Sequence, residues 1–230
     1  MFSKFLDPKN EVAFKRIFGS EKHKAILIHF LNDILGWTGD QTIQSVEFLS
    51  TIQDPEIASK KQSVVDVLCW DTQGTQYIIE MQVAKTKGFE KRAQYYAAKA
   101  YARQANQGEN YQNLKEIIFI AITNYTMFPD KPGYKSDHVI LDRDSYEHDL
   151  KDFSFTFIEL PKFNKTDPTQ LETLIEKWCY FFKYALDQFY WTESDLLLYE
   201  QEKKRVWGET AVLAQKIDDA TEKGLRQRHK

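Results

Sequence analysis

The chain has 230 residues, 42% hydrophobic and 28% charged, with a formal net charge of −3, the balance of an ordinary soluble globular protein with one sizeable core. There is no 18-residue apolar run, and residues 1–8 lack the apolar stretch of a signal peptide, so the sequence predicts a cytoplasmic protein with no membrane span. Its two cysteines, Cys69 and Cys179, have no metal-ligand spacing, which argues against a zinc site and for a reducing compartment.

Residues 8–19 read as a short helix closed by Gly19, and Ser20 as the cap of a second helix reaching about Leu35. On that second helix Ala25, Ile28, Leu31, Ile34 and Leu35 are the expected apolar face. Residues 44–50 read as a strand and 55–59 as a loop.

From Val64 to Ala84 two β-branched and aromatic runs flank Thr72-Gln73-Gly74, the signature of a hairpin whose glycine takes the left-handed position. With Asp71 opposite Thr75, Asp66 stands opposite Glu80 and Val64 opposite Gln82. The odd positions Val65, Val67, Cys69, Tyr77, Ile79, Met81 and Val83 form an apolar face that must be buried. Two carboxylates about 5 Å apart at an effective dielectric near 20 repel by about 3 kcal/mol. Such a pair calls for a shared proton or a cation, and hard oxygen ligands suit Mg²⁺ better than zinc. The competing reading is a register slipped by one residue, which would turn Glu80 into the apolar face.

After the hairpin, Gly88 leads into a helix reaching about Asn106, with Phe89, Ala93, Tyr96, Ala97 and Ala100 on its core stripe and Arg92, Tyr95, Lys99 and Arg103 beside it. Residues 85–103 carry a net charge of +5 and residues 130–200 a net of −7, so a polyanion is expected near the carboxylates, unless the basic block is only a solvated helix face. Residues 116–123 are a continuous apolar run, as in a strand buried on both sides. Residues 138–141 and 153–160 are further strands, residues 168–188 an aromatic-rich helix, and a charged helical segment runs from about Thr192 to the end. The order describes an α/β protein with a mixed sheet.

Asn10-Glu11-Val12-Ala13-Phe14-Lys15-Arg16-Ile17-Phe18-Gly19, Asp66 and Ile79-Glu80-Met81-Gln82 together resemble the recombination-promoting nuclease and transposase branch of the PD-(D/E)XK nuclease superfamily. The segments at residues 88–96 and 159–163 match as well, and the resemblance spans roughly residues 5–190. It implies a restriction-endonuclease-like α/β core, a mixed central sheet flanked by helices, over residues 1–165, with a C-terminal helical extension over 166–230. Val65 stands where the superfamily has proline, Gln82 where it usually has lysine, and Glu11 where relatives often have aspartate.

The implied activity is Mg²⁺- or Mn²⁺-dependent hydrolysis of double-stranded DNA by an endonuclease associated with mobile elements or recombination, with a homodimer as a possible assembly. Asp66, Glu80 and the Met81 carbonyl would hold the metal. Gln82 would orient the attacking water, and Glu11 would add an outer ligand unless it only favours the helix macrodipole. Lys15, Arg92, Lys99 and Arg103 would contact phosphates, as would Tyr95 if its ring is not simply core. The histidines have no metal-ligand spacing, and there is no G-x-x-x-x-G-K, G-x-G-x-x-G or G-x-S-x-G motif, which argues against NTPases, nucleotide-dependent oxidoreductases and esterases. A module that kept the fold and lost catalysis, and an RNA-cutting enzyme with the same chemistry, are the alternatives.

Overall fold

A computed structural model describes residues 7–53, 63–105 and 110–184 of the chain. The expected loop at 55–59 and the charged segment from Thr192 lie outside the described residues.

Helix α1 (Glu11–Phe18) begins at Asn10, whose side-chain oxygen accepts the Val12 and Ala13 amide N–H groups. It ends at Gly19, whose N–H donates to the Lys15 carbonyl at 2.7 Å. A Cβ at Gly19 would lie 2.8 Å from that same oxygen, so only glycine permits the turn. Ser20 does not cap the next helix: its hydroxyl donates back to the Arg16 carbonyl, and a 3₁₀ turn precedes α2 (Lys24–Leu35). The core face of α2 is Leu27, Phe30, Leu31 and Ile34; Ala25 is exposed and Ile28 only partly covered, which corrects the face expected from the sequence.

The sheet has six strands in the order β1 (Val46–Phe48), β4 (Val67–Asp71), β5 (Gln76–Gln82), β6 (Ile117–Thr123), β8 (Phe153–Glu159), β7 (Lys135–Val139), while β2 (Ile52–Gln53) and β3 (Ser63–Val64) form a separate pair. The β4–β5 hairpin has the expected register, Val67 pairing with Ile79 and Trp70 with Gln76. Gly74 turns it at φ +88°, and the Asp71 carboxylate accepts the Gln73 and Thr75 N–H groups. The central pairs β5–β6 and β6–β8 are parallel and the outer pairs antiparallel. Helix α3 (Phe89–Ala102) is the crossover between β5 and β6.

Both faces of the sheet are buried. Val67, Cys69, Tyr77, Ile79 and Met81 pack with α1, α2 and α4 (Leu174–Tyr184), where Phe14, Phe18, Phe30, Trp178 and Phe182 form an aromatic cluster. Leu68, Ile78, Phe119 and Phe157 pack with Phe89, Ala93 and Ala97 of α3. The hairpin's odd face needs two corrections. Val65 joins the α3 side and Val83 is exposed, because the chain leaves the ladder before Val67; Val64 pairs with Ile52 rather than Gln82.

The aromatic helix starts later than its pattern suggested, and residues 185–188 of the expected span lie outside the described residues. Residues 168–170 form a 3₁₀ turn and α4 starts at Leu174. It is tied into the core by the Trp178 indole N–H, which donates to Asp33 at 2.7 Å, and by Lys9, which donates to the Phe182 carbonyl at 3.0 Å.

Candidate active site

The carboxyl ends of β5 and β6 and the point where the chain enters β4 meet at one end of the sheet, the usual place for a site in an open parallel sheet. Just before β4, the Asp66 backbone N–H donates to the Glu80 carboxylate at 3.1 Å, and the Asp66 carboxylate accepts the Met81 N–H at 2.9 Å. Backbone and side chain thus replace the next rung of the ladder. This exchange bends the strand and brings the two carboxylates into one buried site.

Glu80 is 3% exposed, and the Asp66 side chain 11%. Burial raises the proton affinity of both. For Glu80 the neighbouring Asp66 charge raises it further against the pull of Arg92, while for Asp66 the Met81 N–H and Lys15 work in the opposite direction. The Lys15 ammonium lies 2.6 Å from Glu11 and 3.5 Å from Asp66. Burial lowers its pKa, but these two carboxylates outweigh burial and leave it raised. Gln82 Nε2 donates to the Glu80 carboxylate at 3.4 Å and to the Met81 carbonyl at 3.3 Å. One amide group therefore rests on two of the three oxygens expected to be metal ligands.

The donor chemistry fits a hard divalent cation: two carboxylates and a main-chain carbonyl, all oxygen. Among the described residues no group of three or more His, Cys, Asp and Glu side chains is arranged to hold a metal, so an ion here would complete its shell with the carbonyl and water.

The basic residues divide. Lys15 belongs to the carboxylate cluster. Arg92, on the first turn of α3, stacks over the Phe89 ring at 4.8 Å and the Tyr96 ring at 5.8 Å, and its charge acts on Glu80. Tyr95 is 45% exposed on the same helix. Lys99 and Arg103 follow α3 away from the carboxylates, and Arg103 donates to the Ile52 carbonyl at 3.4 Å. Eleven helical positions separate Arg92 from Arg103, about 16 Å. A groove of about 560 Å³ between Trp70, Ala100, Arg103 and Lys115 lies at that far end of the sheet, beside the hairpin turn. Its lining holds no carboxylate pair; the Asp66 and Glu80 carboxylates stand at the opposite end.

Sequence reasoning missed Tyr125. It lies two residues past the end of β6, whose Thr123 is paired with Gln82 at the end of β5 and whose next residue, Asn124, donates its N–H to the Gln82 carbonyl at 2.8 Å. Its position just past the carboxyl end of a buried parallel strand was the available signal. Also missed was the role of the 159–163 segment. Glu159, 1% exposed, accepts the Met127 and Phe128 N–H groups and pairs with Lys162 at 2.6 Å, fixing the loop that carries Tyr125.

Comparisons with curated proteins and with solved structures gave no match. A family model described as PD-(D/E)XK nuclease family transposase matches residues 8–189, a span that takes in every described helix and strand. Most of the chain, including the whole carboxylate cluster, falls within that match, and the protein belongs to the PD-(D/E)XK nuclease family transposases.

Proposed function

We propose that the protein is a metal-dependent endonuclease that hydrolyses phosphodiester bonds in double-stranded DNA, with the activity centred on Asp66 and Glu80. The observation that carries this reading is the buried carboxylate pair. Two acidic groups in one dry site, both with proton affinities raised by burial and that of Glu80 raised further by Asp66, cost the metal-free fold stability that a bound cation would return.

Asp66, Glu80 and the Met81 carbonyl would hold Mg²⁺ or Mn²⁺, and such an ion, when bound, acidifies a water and neutralises charge developing on the phosphate. Gln82 neither titrates nor carries charge, so it serves as a hydrogen-bond donor. The Gln82 amide now donates to the Glu80 carboxylate and the Met81 carbonyl, and with those oxygens holding a cation it would be available to orient a water. Lys15 balances the Asp66 charge and is itself held by Glu11, which gives Glu11 a positioning role through Lys15. Arg92 supplies positive charge at the mouth of the site. Lys99 and Arg103 extend that charge along α3 for backbone phosphates. Among the described residues no helix is long and apolar enough to cross a membrane.

The test is conversion of supercoiled plasmid to nicked or linear DNA. A closed circle offers no end, so its cleavage separates an endonuclease from an exonuclease. Conversion is expected with Mg²⁺ or Mn²⁺, not in EDTA, and is lost in Asp66→Asn and Glu80→Gln. A protein that binds duplex DNA but does not cleave it, whichever divalent ion is supplied, would instead be a binding module of the same fold.

A further inference from the structure

Three buried polar side-chain atoms have no hydrogen-bond partner among the described residues: Arg92 Nε, the Tyr125 hydroxyl and His148 Nε2. The first two belong together. Arg92 lies on the first turn of α3, after β5; Tyr125 lies on the loop after β6, the neighbouring parallel strand. The Arg92 charge acts on Glu80 and on the Tyr125 phenol alike, so both groups surround the same end of the sheet.

An unsatisfied buried donor normally costs stability, and native folds rarely leave two near each other. Here the structure holds both in place. The Arg92 guanidinium is stacked on Phe89 and Tyr96. The Tyr125 backbone is fixed on both sides: the Asn124 N–H donates to Gln82, the Thr123 hydroxyl to the Tyr125 carbonyl at 2.8 Å, and the Met127 and Phe128 N–H groups to buried Glu159 at 2.5 and 3.0 Å. Lys162 closes the clamp on Glu159 and the Phe128 carbonyl, at 2.6 and 2.7 Å. A loop held this firmly around a hydroxyl with no partner is preorganised for an acceptor that arrives from outside. A guanidinium N–H and a phenol O–H are both donors, and the acceptor that satisfies a charged and a neutral donor together is an oxyanion.

We infer that Arg92 and Tyr125 form an anion subsite beside the carboxylate pair, which takes a non-bridging oxygen of a nucleic-acid phosphate. The inference rests on the nuclease reading for the identity of the substrate. Its geometry does not depend on the metal. Glu159 and Lys162 are positioning residues for this subsite: they touch no substrate and act by holding the 124–128 loop.

The critical variant is Tyr125→Phe, which removes one hydroxyl and keeps the ring. In the absence of ligand it should melt at or above the wild-type temperature, because the deleted donor has no partner to lose. Its plasmid cleavage with Mn²⁺ should fall about 10-fold to 100-fold, the size expected for a lost hydrogen bond to a charged group. Glu159→Gln should lower cleavage as well, and duplex binding in Ca²⁺ should fall with it.

A second arm needs neither metal nor cleavage. Glu80→Gln in EDTA removes one repelling charge, and inorganic phosphate should then raise its melting temperature; the double variant Glu80→Gln/Tyr125→Phe should lose that rise. Wild-type protein that cleaves nothing would end the nuclease reading, and the phosphate arm would still decide the subsite. The subsite is overturned if phosphate leaves the melting temperature of Glu80→Gln unchanged, or shifts both variants equally. It is also overturned if Tyr125→Phe melts well below wild type, or cleaves at the wild-type rate.

Discussion

Phe14 and Phe18 of α1 sink into the aromatic cluster of α2 and α4, while Glu11 and Lys15 of the same helix stand at the carboxylate pair. The two regions obey opposite rules. In the cluster every ring is covered by another, Phe18 lying 5.0 Å from Phe30 and 5.7 Å from Phe182, and the contacts are complete without any ligand. At the sheet end two acids share one buried site and two donors lack partners. Stability is concentrated in the first region and withheld from the second, as expected where a fold reserves interactions for something it binds.

The largest expected effect is on the aromatic side. Phe18→Ala removes a fully buried ring between two helices and should cost about 3–5 kcal/mol, read by urea unfolding. A loss below about 1 kcal/mol would mean that the cluster can collapse around the gap and that the contrast is overstated.

On the other side the sign should reverse. Glu80→Gln keeps an oxygen for the Asp66 N–H and removes the charge, so in EDTA it should melt above wild type. Glu80→Ala leaves that N–H without its partner and should melt lower than the glutamine variant by roughly 1–2 kcal/mol. If both variants melt far below wild type, the pair serves structure.

The same charges set a pH dependence. Burial, and for Glu80 also Asp66, raise both pKa values in the folded state, so the folded protein binds protons more tightly than the unfolded chain. The stability this confers is present below the ordinary carboxylate range of about 4 and is lost as pH rises through the raised folded values. In EDTA the melting advantage of Glu80→Gln over wild type should therefore grow from acidic to alkaline pH. Saturating Mn²⁺ should abolish or invert it, and a difference that stays flat with pH would show that the pair is not strained by its charge.

The smallest effects belong to α3. Each lost phosphate contact should reduce the slope of log affinity against log salt by about 0.9. Duplex binding in Ca²⁺ should show this for Arg92→Ala first and for Arg103→Ala least, because Arg103 is turned to the Ile52 carbonyl at the far end. Equal slopes for all variants would place the groove elsewhere.

The hairpin was legible in the sequence because two local signals, Gly74 in the turn and the alternation of its strands, specify the same register. The break at Asp66 was not, since it depends on hydrogen bonds to Glu80 and Met81 that only the folded pair can make. On α2, Ala25, Ile26, Leu27, Ile28, Phe30, Leu31, Ile34 and Leu35 are all apolar, so periodicity could not choose among faces; packing against α1 and α4 chose Leu27, Phe30, Leu31 and Ile34. Asp66 and Glu80 could be paired from sequence, whereas the approach of Lys15 and Arg92 to them depends on helices brought together by the sheet.

Whether the carboxylate pair exists to hold a cation is tested most directly by a crystal structure of the full chain grown with Mn²⁺ and measured at an anomalous wavelength. The expected result is one strong anomalous peak between the Asp66 and Glu80 carboxylates and the Met81 carbonyl, with the Gln82 amide moved off those oxygens. Well-ordered Asp66 and Glu80 still bonded as they are here, with no peak between them, would contradict it.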